Sequence, residues 1–262
     1  MAYADGVDII SSSVGYDSAW ANDVYSEVAS RLVEEGVVVV TSAGNSGEFG
    51  TTVGGAAASG KNLVAVASVE TESFPAIPFL ATFNLDGSSN STLQGYLPGT
   101  DYFPPTIKDW PIVALNLDTT APADGCVPYP SGTPRLDGKV ALVRRGGCTF
   151  AIKQQNLVAL GAKQILVYNT PTSAMIAPTT SQTGSLIALI TAQLGEAIIN
   201  TIKAGGNVTA DFSVNPEEII SLEYPVGGRP STYSSWGPLY DLQIKPDIAA
   251  PGKTERSMLW IE

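Results

Sequence analysis

Histidine is absent from all 262 residues of this chain, and this absence limits its chemistry more than any other feature of the composition. Histidine is the side chain that most often serves as general base, proton shuttle or metal ligand near neutral pH. A mechanism that depends on an imidazole therefore has no residue in this chain to supply it.

Basic side chains are also scarce. Lys and Arg number 14 against 25 Asp and Glu, which gives a formal net charge of -11. An acidic surface repels nucleic acid and anionic membranes, so neither is an expected partner. No apolar run approaches the ~18 residues of a membrane helix. The N-terminal residues lack the basic start and apolar core of a signal peptide, so any signal is expected upstream. Nothing in the composition indicates an oligomeric state.

The chain has only two cysteines, Cys126 and Cys148. An even number permits one disulfide bond, and two free thiols are the alternative. No group of residues has the spacing of metal ligands, so neither a metal site nor a cofactor is predicted. Two Asn-X-Ser/Thr triplets, at Asn90 and Asn207, are candidate glycosylation sites if the protein is secreted.

The rest of the chain is organised around the stretch from Glu35 to Gly47. Val37–Val40 is a run of four β-branched residues without polar alternation, which is typical of a strand buried on both faces of a parallel sheet. Small residues and Asn45 follow at the end of this strand, where ligands bind in open α/β sheets. The Asn45 carboxamide can donate a hydrogen bond to developing negative charge. The alternative is a buried strand and a tight turn, with Asn45 in a left-handed conformation.

The residues before this stretch predict a β-α-β unit. Val7–Ile10 resembles a strand, and the spacing of apolar residues over Ala21–Glu35 predicts a helix that ends at Gly36. Asp17 or Ser18 is the expected N-cap of that helix. A right-handed crossover makes the two strands parallel, so the segments that follow them are expected at the same rim of the sheet.

The character of the chain changes after residue 72. Another apolar strand is predicted from Asn62 to Val69, and a stretch rich in Pro, Gly and Ser then begins at Phe74 and indicates a domain boundary near residues 75–90. The middle of the chain alternates short predicted strands and helices. The strands are expected within 138–147, at 164–169, at 186–190 and at 208–214, and the helices at 150–160 and after Thr191. This order favours a small α+β or barrel-like domain.

Three motifs resemble the subtilisin-like serine proteases. They are Ser12–Gly15, Ser42–Gly47, and the segment from Tyr233 to Pro238 with Ile244–Gly252. The middle of the chain resembles a protease-associated domain, through Cys126, Gly138–Phe150 and Gly161–Asn169. The resemblance implies an α/β fold with a partial subtilisin-like parallel sheet and an inserted small α+β or barrel-like domain. It implies catalytic-domain segments at 1–80 and 217–262, and a protease-associated domain at 81–216.

The resemblance also implies roles for individual residues. Asn45 is the expected oxyanion-hole donor, and the substrate backbone is expected to pair with two segments made of Ser13, Val14, Gly15, Ser42, Ala43 and Gly44. In the secreted setting that the family implies, Cys126 and Cys148 are expected to form a disulfide rather than two free thiols. Structural calcium is possible in the family but has no identifiable ligands in this sequence.

The chain departs from the family where the catalytic triad is concerned. The family's Asp and His precede the first matching segment, and its Ser follows the Ala-Pro-Gly turn within a Gly-Thr-Ser-Met-Ala motif. Ser257 precedes a Met, but Glu255 and Arg256 stand where that motif has Gly and Thr. We therefore expect an internal piece of a secreted endopeptidase that acts on polypeptides but is inactive alone. The alternatives are a non-catalytic binding module built on the protease-associated domain and a truncated gene model.

Overall fold

The computed structural model describes residues 2–52, 54–214, 218–223 and 227–252. Its internal contacts divide the chain into two compact units, which we describe separately. The first unit comprises Met1–Glu72 with Pro225–Glu262, and the second comprises Ser73–Tyr224. The boundaries expected from the sequence, after residues 80 and 216, both lie inside the second unit, because a long strand of that unit already begins at Ser73.

Within the described residues the chain forms twelve strands and three α-helices. In order they are β1 (Ile9–Ser12), α1 (Val24–Glu34), β2 (Val38–Ser42), β3 (Val64–Val69), β4 (Ser73–Leu85), β5 (Ser88–Pro98), β6 (Trp110–Ala114), β7 (Val140–Arg144), α2 (Phe150–Val158), β8 (Gln164–Tyr168), β9 (Leu186–Ile190), α3 (Ala192–Lys203), β10 (Asn207–Asp211), β11 (Ile220–Glu223) and β12 (Ile248–Pro251).

The first unit is built on a four-stranded parallel sheet with the order β1-β2-β3-β12. β1 and β2 are paired in parallel and joined by α1, as the sequence predicts. Side chains of α1 and of one sheet face form a small core that contains Ala29, Val39 and Leu63. On the other face Ile9, Val38 and Ile248 are 63%, 50% and 55% exposed. Only one face of this sheet is therefore well covered by the described residues.

The helix α1 begins later than the sequence predicts. Its N-cap is Asp23, whose carboxylate accepts a hydrogen bond from the Tyr25 N–H at 2.9 Å, and not Asp17 or Ser18. Asp17 forms a β-bridge with Gly55, and the Ser18 N–H donates to the carbonyl of Gly54 at 2.8 Å. This pairing keeps both residues extended, so neither is free to start a helix.

The second unit is a closed barrel of seven strands, with β11 added at one end of β4. The order runs β10-β6-β7-β8-β9-β5-β4, and antiparallel pairing between β10 and β4 closes it. A cluster of buried rings that includes Phe79, Tyr96, Phe103 and Phe212 fills part of its core, with centroids 4.8 to 6.0 Å apart. The sequence expectation of a barrel-like arrangement agrees with this topology.

The strands β4 and β5 form an antiparallel hairpin that the sequence did not predict. Their residues pair from Ile77 with Tyr96 to Leu85 with Ser88. In the sequence, the prolines of this region indicate a domain boundary, and a proline cannot donate to a sheet ladder. On its other side β4 pairs with β11 over residues 73–76 and with β10 over residues 80–84. Pro78 lies between these two partners, where only β5 pairs with β4.

The two cysteines are joined by a disulfide bond in the second unit, which confirms the expected pairing. The Cys126 and Cys148 sulfur atoms are 2.09 Å apart, and the Cα atoms are 5.7 Å apart. The bond closes a loop that spans β7, because Cys126 precedes this strand and Cys148 follows it. It therefore ties the segment before β7 to the turn that leads into α2.

Candidate functional site

A groove opens at the carboxyl ends of the strands of the first unit, with a volume of about 420 Å³. Residues from all four strands or from the segments that follow them line it. The lining consists of Ser11, Ser13, Val40–Asn45, Val66–Ser68, Tyr233, Ser234 and Ala250–Gly252. No charged side chain is among them. The position agrees with the rule that ligands of open α/β sheets bind beyond the carboxyl ends of the strands.

Asn45 lies on the rim of this groove with its side chain exposed. Its carboxamide makes no hydrogen bond to any residue that the structure describes. The alternative interpretation placed Asn45 itself in a left-handed turn, and this is wrong. The left-handed residue is Gly44, with φ +106°, and Asn45 has an ordinary negative φ. The turn therefore does not use the Asn45 side chain.

Ser235 holds the backbone on both sides of Asn45. Its N–H donates to the carbonyl of Gly44 at 3.0 Å, and its hydroxyl accepts from the N–H of Ser46 at 3.0 Å. Ser235 is 2% exposed, so these bonds are shielded from water. A Cβ on Gly44 would lie 2.7 Å from the Gly55 nitrogen and 2.9 Å from the Ser235 hydroxyl. The loop thus requires glycine at residue 44 and is fixed by a residue 189 positions from Ser46.

A second set of contacts fixes the loop just beyond Asn45. The N–H of Gly47 donates to the Tyr233 carbonyl at 2.9 Å, and the indole N–H of Trp236 donates to the Gly47 carbonyl at 3.1 Å. A Cβ on Gly47 would lie only 2.2 Å from the carbonyl oxygen of Ser234. The two motifs Ser42–Gly47 and Tyr233–Pro238, far apart in sequence, therefore pack directly on each other.

The other proposed substrate-flanking segment follows β1. Ser13 lines the groove, whereas Val14 and Gly15 are exposed and lie just outside its lining. No described residue forms a backbone hydrogen bond with Val14 or Gly15. Across the groove, Ser42, Ala43 and Gly44 all belong to the lining. Four of the six predicted contact residues therefore line the groove. Val14 directly follows the lining residue Ser13, and Gly15 lies one residue further along the exposed segment.

Hydroxyl groups line the part of the groove next to β3. The Ser68 hydroxyl lies 2.8 Å from that of Ser231 and 2.7 Å from that of Tyr233. The N–H of Ser68 donates to the Ser234 hydroxyl at 2.9 Å. Ser234 and Ser235 belong to a sequence motif and Ser68 lies near the end of a predicted strand, but these positions predict no partner, and Ser231 belongs to no motif.

An ion pair between the buried Lys245 and the partly exposed Asp247 supports the opposite end of β3. The Lys245 ammonium donates to the Asp247 carboxylate at 2.7 Å and to the Leu63 carbonyl at 2.9 Å. The same carboxylate oxygen accepts from the Ala65 N–H at 2.7 Å. Burial acts to raise the pKa of Asp247, but the bonds from Lys245 and Ala65 outweigh it and hold the pKa below its usual value. Asp247 therefore has a structural role in holding β3.

The remaining predicted residues lie in the second unit, apart from the groove. Asn90 is exposed on β5, and Asn207 begins β10 with its side-chain oxygen accepting from the Asn84 amide at 3.0 Å. Cys126 and Cys148 form the disulfide described above. Ser257, the serine next to a methionine, lies outside the described residues.

In the described part of the chain, no group of three or more His, Cys, Asp or Glu side chains is arranged to hold a metal ion. The helices described are all too short or too polar to cross a membrane.

The chain matches the Subtilase family over residues 1–261. It is 30% identical over 252 residues to the minor extracellular protease Vpr of Bacillus subtilis, a match that covers 96% of this chain and 28% of Vpr. It is 26% identical over 264 residues to the C5a peptidase of Streptococcus pyogenes, covering 95% of this chain and 21% of that protein.

A third relative is the PII-type proteinase of Lactococcus lactis subsp. cremoris, 26% identical over 268 residues, with 94% of this chain and 14% of the proteinase covered. The chain thus spans less than a third of the length of these curated relatives. Among solved structures, a psychrophilic subtilisin-like protease from Pseudoalteromonas sp. AS-11 superposes with a TM-score of 0.38 and 15% identity, covering 89% of this chain and 58% of that one.

Proposed function

The chain belongs to the subtilase family, and on that premise we propose that its first unit supplies the oxyanion-binding part of a serine peptidase active site. The observation that carries this proposal is the free carboxamide of Asn45. It stands at the rim of a groove, on a loop that other residues hold in place, and has no structural partner among the described residues. A preorganised donor without a partner of its own is what stabilisation of a developing oxyanion requires.

The proposed reaction is hydrolysis of a peptide bond through an acyl-enzyme. When the carbonyl carbon is attacked, negative charge develops on its oxygen, and the Asn45 N–H donates to that oxygen. Ser13–Gly15 and Ser42–Gly44 pair with the backbone of an extended substrate on either side. The uncharged lining of the groove favours an uncharged side chain next to the scissile bond, because no carboxylate is present there to select Lys or Arg.

The same reaction needs a base that this chain does not contain. Ser-His-Asp chemistry uses an imidazole to take the proton of the nucleophile and return it to the leaving amine. With no histidine among its 262 residues, the chain alone is proposed to be inactive. Its relatives are named as proteases and peptidases, and one as extracellular, which supports a polypeptide substrate and a secreted location. The second unit is proposed to be a protease-associated domain inserted into the catalytic fold.

A chimera tests the role of Asn45 where a complete active site exists. The 252 residues of Vpr that match this chain are replaced by the chain, and peptide hydrolysis is measured. In an active chimera, Asn45→Ala is expected to lower kcat by about 10²–10³ with little change in KM, the loss measured when such a donor is removed from a subtilisin. Asn90→Ala, an exposed asparagine of the second unit, is the matched control and is expected to have no effect. A change in kcat of less than about threefold for Asn45→Ala would contradict the proposal.

A second experiment tests the inactivity of the chain alone. We expect neither casein hydrolysis nor labelling by a fluorophosphonate probe, because activation of a serine requires a base. Labelling that maps to Ser257, or hydrolysis that survives inhibitor controls, would refute this part of the proposal without affecting the role of Asn45.

The absence of histidine also supports a second candidate, a non-catalytic module that binds peptide or protein through the second unit. The chimera separates the two candidates. A correctly folded chimera that binds substrate but hydrolyses none of it favours the binding module, whereas a chimera with turnover that depends on Asn45 favours the peptidase.

A further inference from the structure

A buried lysine lies against the disulfide bond of the second unit. Lys153 belongs to α2 and is 0% exposed. Its ammonium donates a hydrogen bond to the Asp124 carbonyl and another, at 3.5 Å, to the sulfur of Cys126. No residue that the structure describes donates a hydrogen bond to the sulfur of Cys148. The two sulfur atoms of this disulfide therefore have different surroundings, because an ammonium contacts only one of them.

The Lys153 ammonium has no carboxylate as a direct partner. Lys153 belongs to none of the ion pairs that the described residues form. The Asp124 carboxylate instead accepts the N–H of Arg144 at 2.8 Å. Burial lowers the pKa of Lys153, while the charge of Asp124 opposes this effect and that of Arg144 adds to it. A buried charge is normally paired, because it has lost its hydration. The surroundings of Lys153 therefore favour an anion at Cys126.

The disulfide lies close enough to the surface for a small molecule to approach it. Cys126 and Cys148 are both half-buried, and Gly147 and Thr149 on either side of Cys148 are exposed. Gly147 has no side chain that could block the approach to Cys148 from solvent. Because both cysteines are half-buried, access alone does not select one sulfur over the other.

We propose that this disulfide is a site of thiol exchange, where a small external thiol bonds to Cys148 and Cys126 leaves as a thiolate paired with Lys153. The external thiolate forms a bond to the Cys148 sulfur as the bond between the two cysteines breaks, and the electron pair of that bond stays on the Cys126 sulfur. A second external thiolate then attacks the external sulfur of the mixed disulfide. This step releases an external disulfide and leaves Cys148, which takes up a proton from water. The inference does not depend on the proposed catalytic role.

The leaving group decides which sulfur is attacked. In thiol exchange a leaving thiol with a lower pKa departs faster. A neighbouring lysine lowers the pKa of a thiol, and Lys153 contacts only Cys126. Attack at Cys126 would instead expel a Cys148 thiolate without a hydrogen-bond donor among the described residues. Exchange at Cys148 also opens the loop around β7, so the bond that ties this loop to the start of α2 becomes reversible.

Mapping of the mixed disulfide in the wild-type chain tests the direction of attack. The folded chain is mixed with reduced glutathione, exchange is stopped with excess N-ethylmaleimide, and the peptides are identified by mass spectrometry. We expect glutathione at Cys148 and the maleimide at Cys126, in about tenfold excess over the reverse arrangement, because the better leaving group departs in most encounters. The rate is expected to be proportional to the glutathione concentration.

Two single-cysteine variants test the pKa of each thiol. Cys148→Ala leaves the Cys126 thiol beside Lys153, whereas Cys126→Ala leaves the Cys148 thiol without that contact. The ultraviolet absorbance of the thiolate, followed against pH, is expected to give a pKa for Cys126 that is about one pH unit or more below that of Cys148. Circular dichroism shows whether each variant is folded.

Removal of the ammonium tests the part played by Lys153. Lys153→Met keeps a long apolar side chain and is expected to slow exchange with glutathione about tenfold, because the Cys126 thiolate loses its cation. It is also expected to shift the equilibrium with glutathione toward the disulfide. Lys163→Met removes an exposed lysine of the same unit and is the matched control, expected to exchange within about twofold of wild type.

Four outcomes would overturn the proposal. They are a folded wild-type chain whose disulfide does not react with glutathione, a mixed disulfide found mainly at Cys126, a Cys126 thiol whose pKa is not below that of Cys148, and equal exchange rates for Lys153→Met and Lys163→Met. If Lys153→Met does not fold, the position of glutathione in the wild-type chain decides.

Discussion

The sheets of the two units differ in their edges, where a strand has backbone N–H and C=O groups without a partner strand. The sheet of the second unit closes on itself, because β4 is long enough to pair with β10 over residues 80–84 while β5 occupies its other side. The sheet of the first unit stays open, with β1 and β12 at its edges. Closure buries the barrel interior around a ring cluster. The open sheet leaves the carboxyl ends of four strands accessible, and the groove lies there. The more complete core and the candidate site are thus in different units.

The largest expected effect comes from the barrel core. Phe79 is fully buried and stacks on Phe212 at 5.1 Å. Phe79→Ala is expected to destabilise the second unit by about 4 kcal/mol, because burial is lost and a cavity remains. Hydrogen exchange resolved along the sequence measures this loss of stability as faster amide exchange in β7 and β8. Phe49→Ala, at a residue that is 80% exposed in the first unit, is the control and is expected to change stability by less than about 0.5 kcal/mol. Equal losses for the two variants would contradict the contrast between the units.

The disulfide comes next. Replacing Cys126 and Cys148 together by alanine removes a constraint on a loop of 22 residues and is expected to cost about 3 kcal/mol. Faster exchange is expected in β7 and α2 of the second unit, while β2 and β3 of the first unit keep their protection. Equal loss of protection in both units would show that they unfold as one cooperative body. That result would contradict the difference in stability between the two units.

In the first unit the matching experiment removes the partner of a buried charge. Asp247→Asn leaves Lys245 without its carboxylate and is expected to destabilise the sheet by about 2 kcal/mol near neutral pH. The folded pKa of Asp247 is lowered, so its contribution is present above the unfolded pKa near 4 and is lost as the pH falls below that value. Urea unfolding from pH 7 to pH 3 should therefore show the two proteins converging at low pH. Asp86→Asn, in an exposed turn, is the control, and a constant difference at all pH values would refute this explanation.

The smallest expected effect is local to the groove. Ser235→Ala removes the acceptor of the Ser46 N–H but keeps the backbone bond to Gly44. It is expected to cost about 1 kcal/mol, seen as faster exchange of the Ser46 amide, with little change in the barrel. Ser91→Ala, which removes an exposed hydroxyl bond to Thr82, is the control. An unchanged Ser46 amide would mean that other contacts, such as the Trp236 bond to Gly47, hold the loop alone.

The parts of the fold that sequence predicts well are those set by local patterns. The β-branched run of β2 and the helical spacing of α1 lie within 30 residues, and a right-handed crossover fixes how they pair. The helix expected after Thr191 is α3, and the Thr191 hydroxyl caps it by accepting from the Leu194 N–H at 3.2 Å. The position of Asn45 at the rim follows from the same local pattern, because its strand β2 ends only three residues before it.

The parts that sequence missed depend on distant partners. The stretch with Pro75 and Pro78 indicated a domain boundary, and only the gap between the pairing of β4 with β11 and its pairing with β10 explains how the strand accepts Pro78. Ser235 resembles any other serine until the fold places it beside Gly44 and Ser46. The cap of α1 was misplaced because Asp17 is engaged by Gly55, 38 positions away. Each of these contacts joins residues that are far apart in sequence, and the local pattern around one residue does not predict its partner.

The pairing of Ser73 with Glu223, where β4 meets β11, has a consequence for the order of folding. β3 and β12 are neighbours in the first sheet, although about 180 residues separate Val69 from Ile248. Once the barrel has formed, its entry and exit strands lie side by side, and the effective loop between β3 and β12 shrinks to about 30 residues. Loop-closure entropy grows with the logarithm of length, so prior folding of the barrel lowers the cost of adding β12 by about 1.6 kcal/mol. The groove that β12 completes is therefore expected to assemble last, after the barrel has brought the two ends of the interrupted sheet within reach.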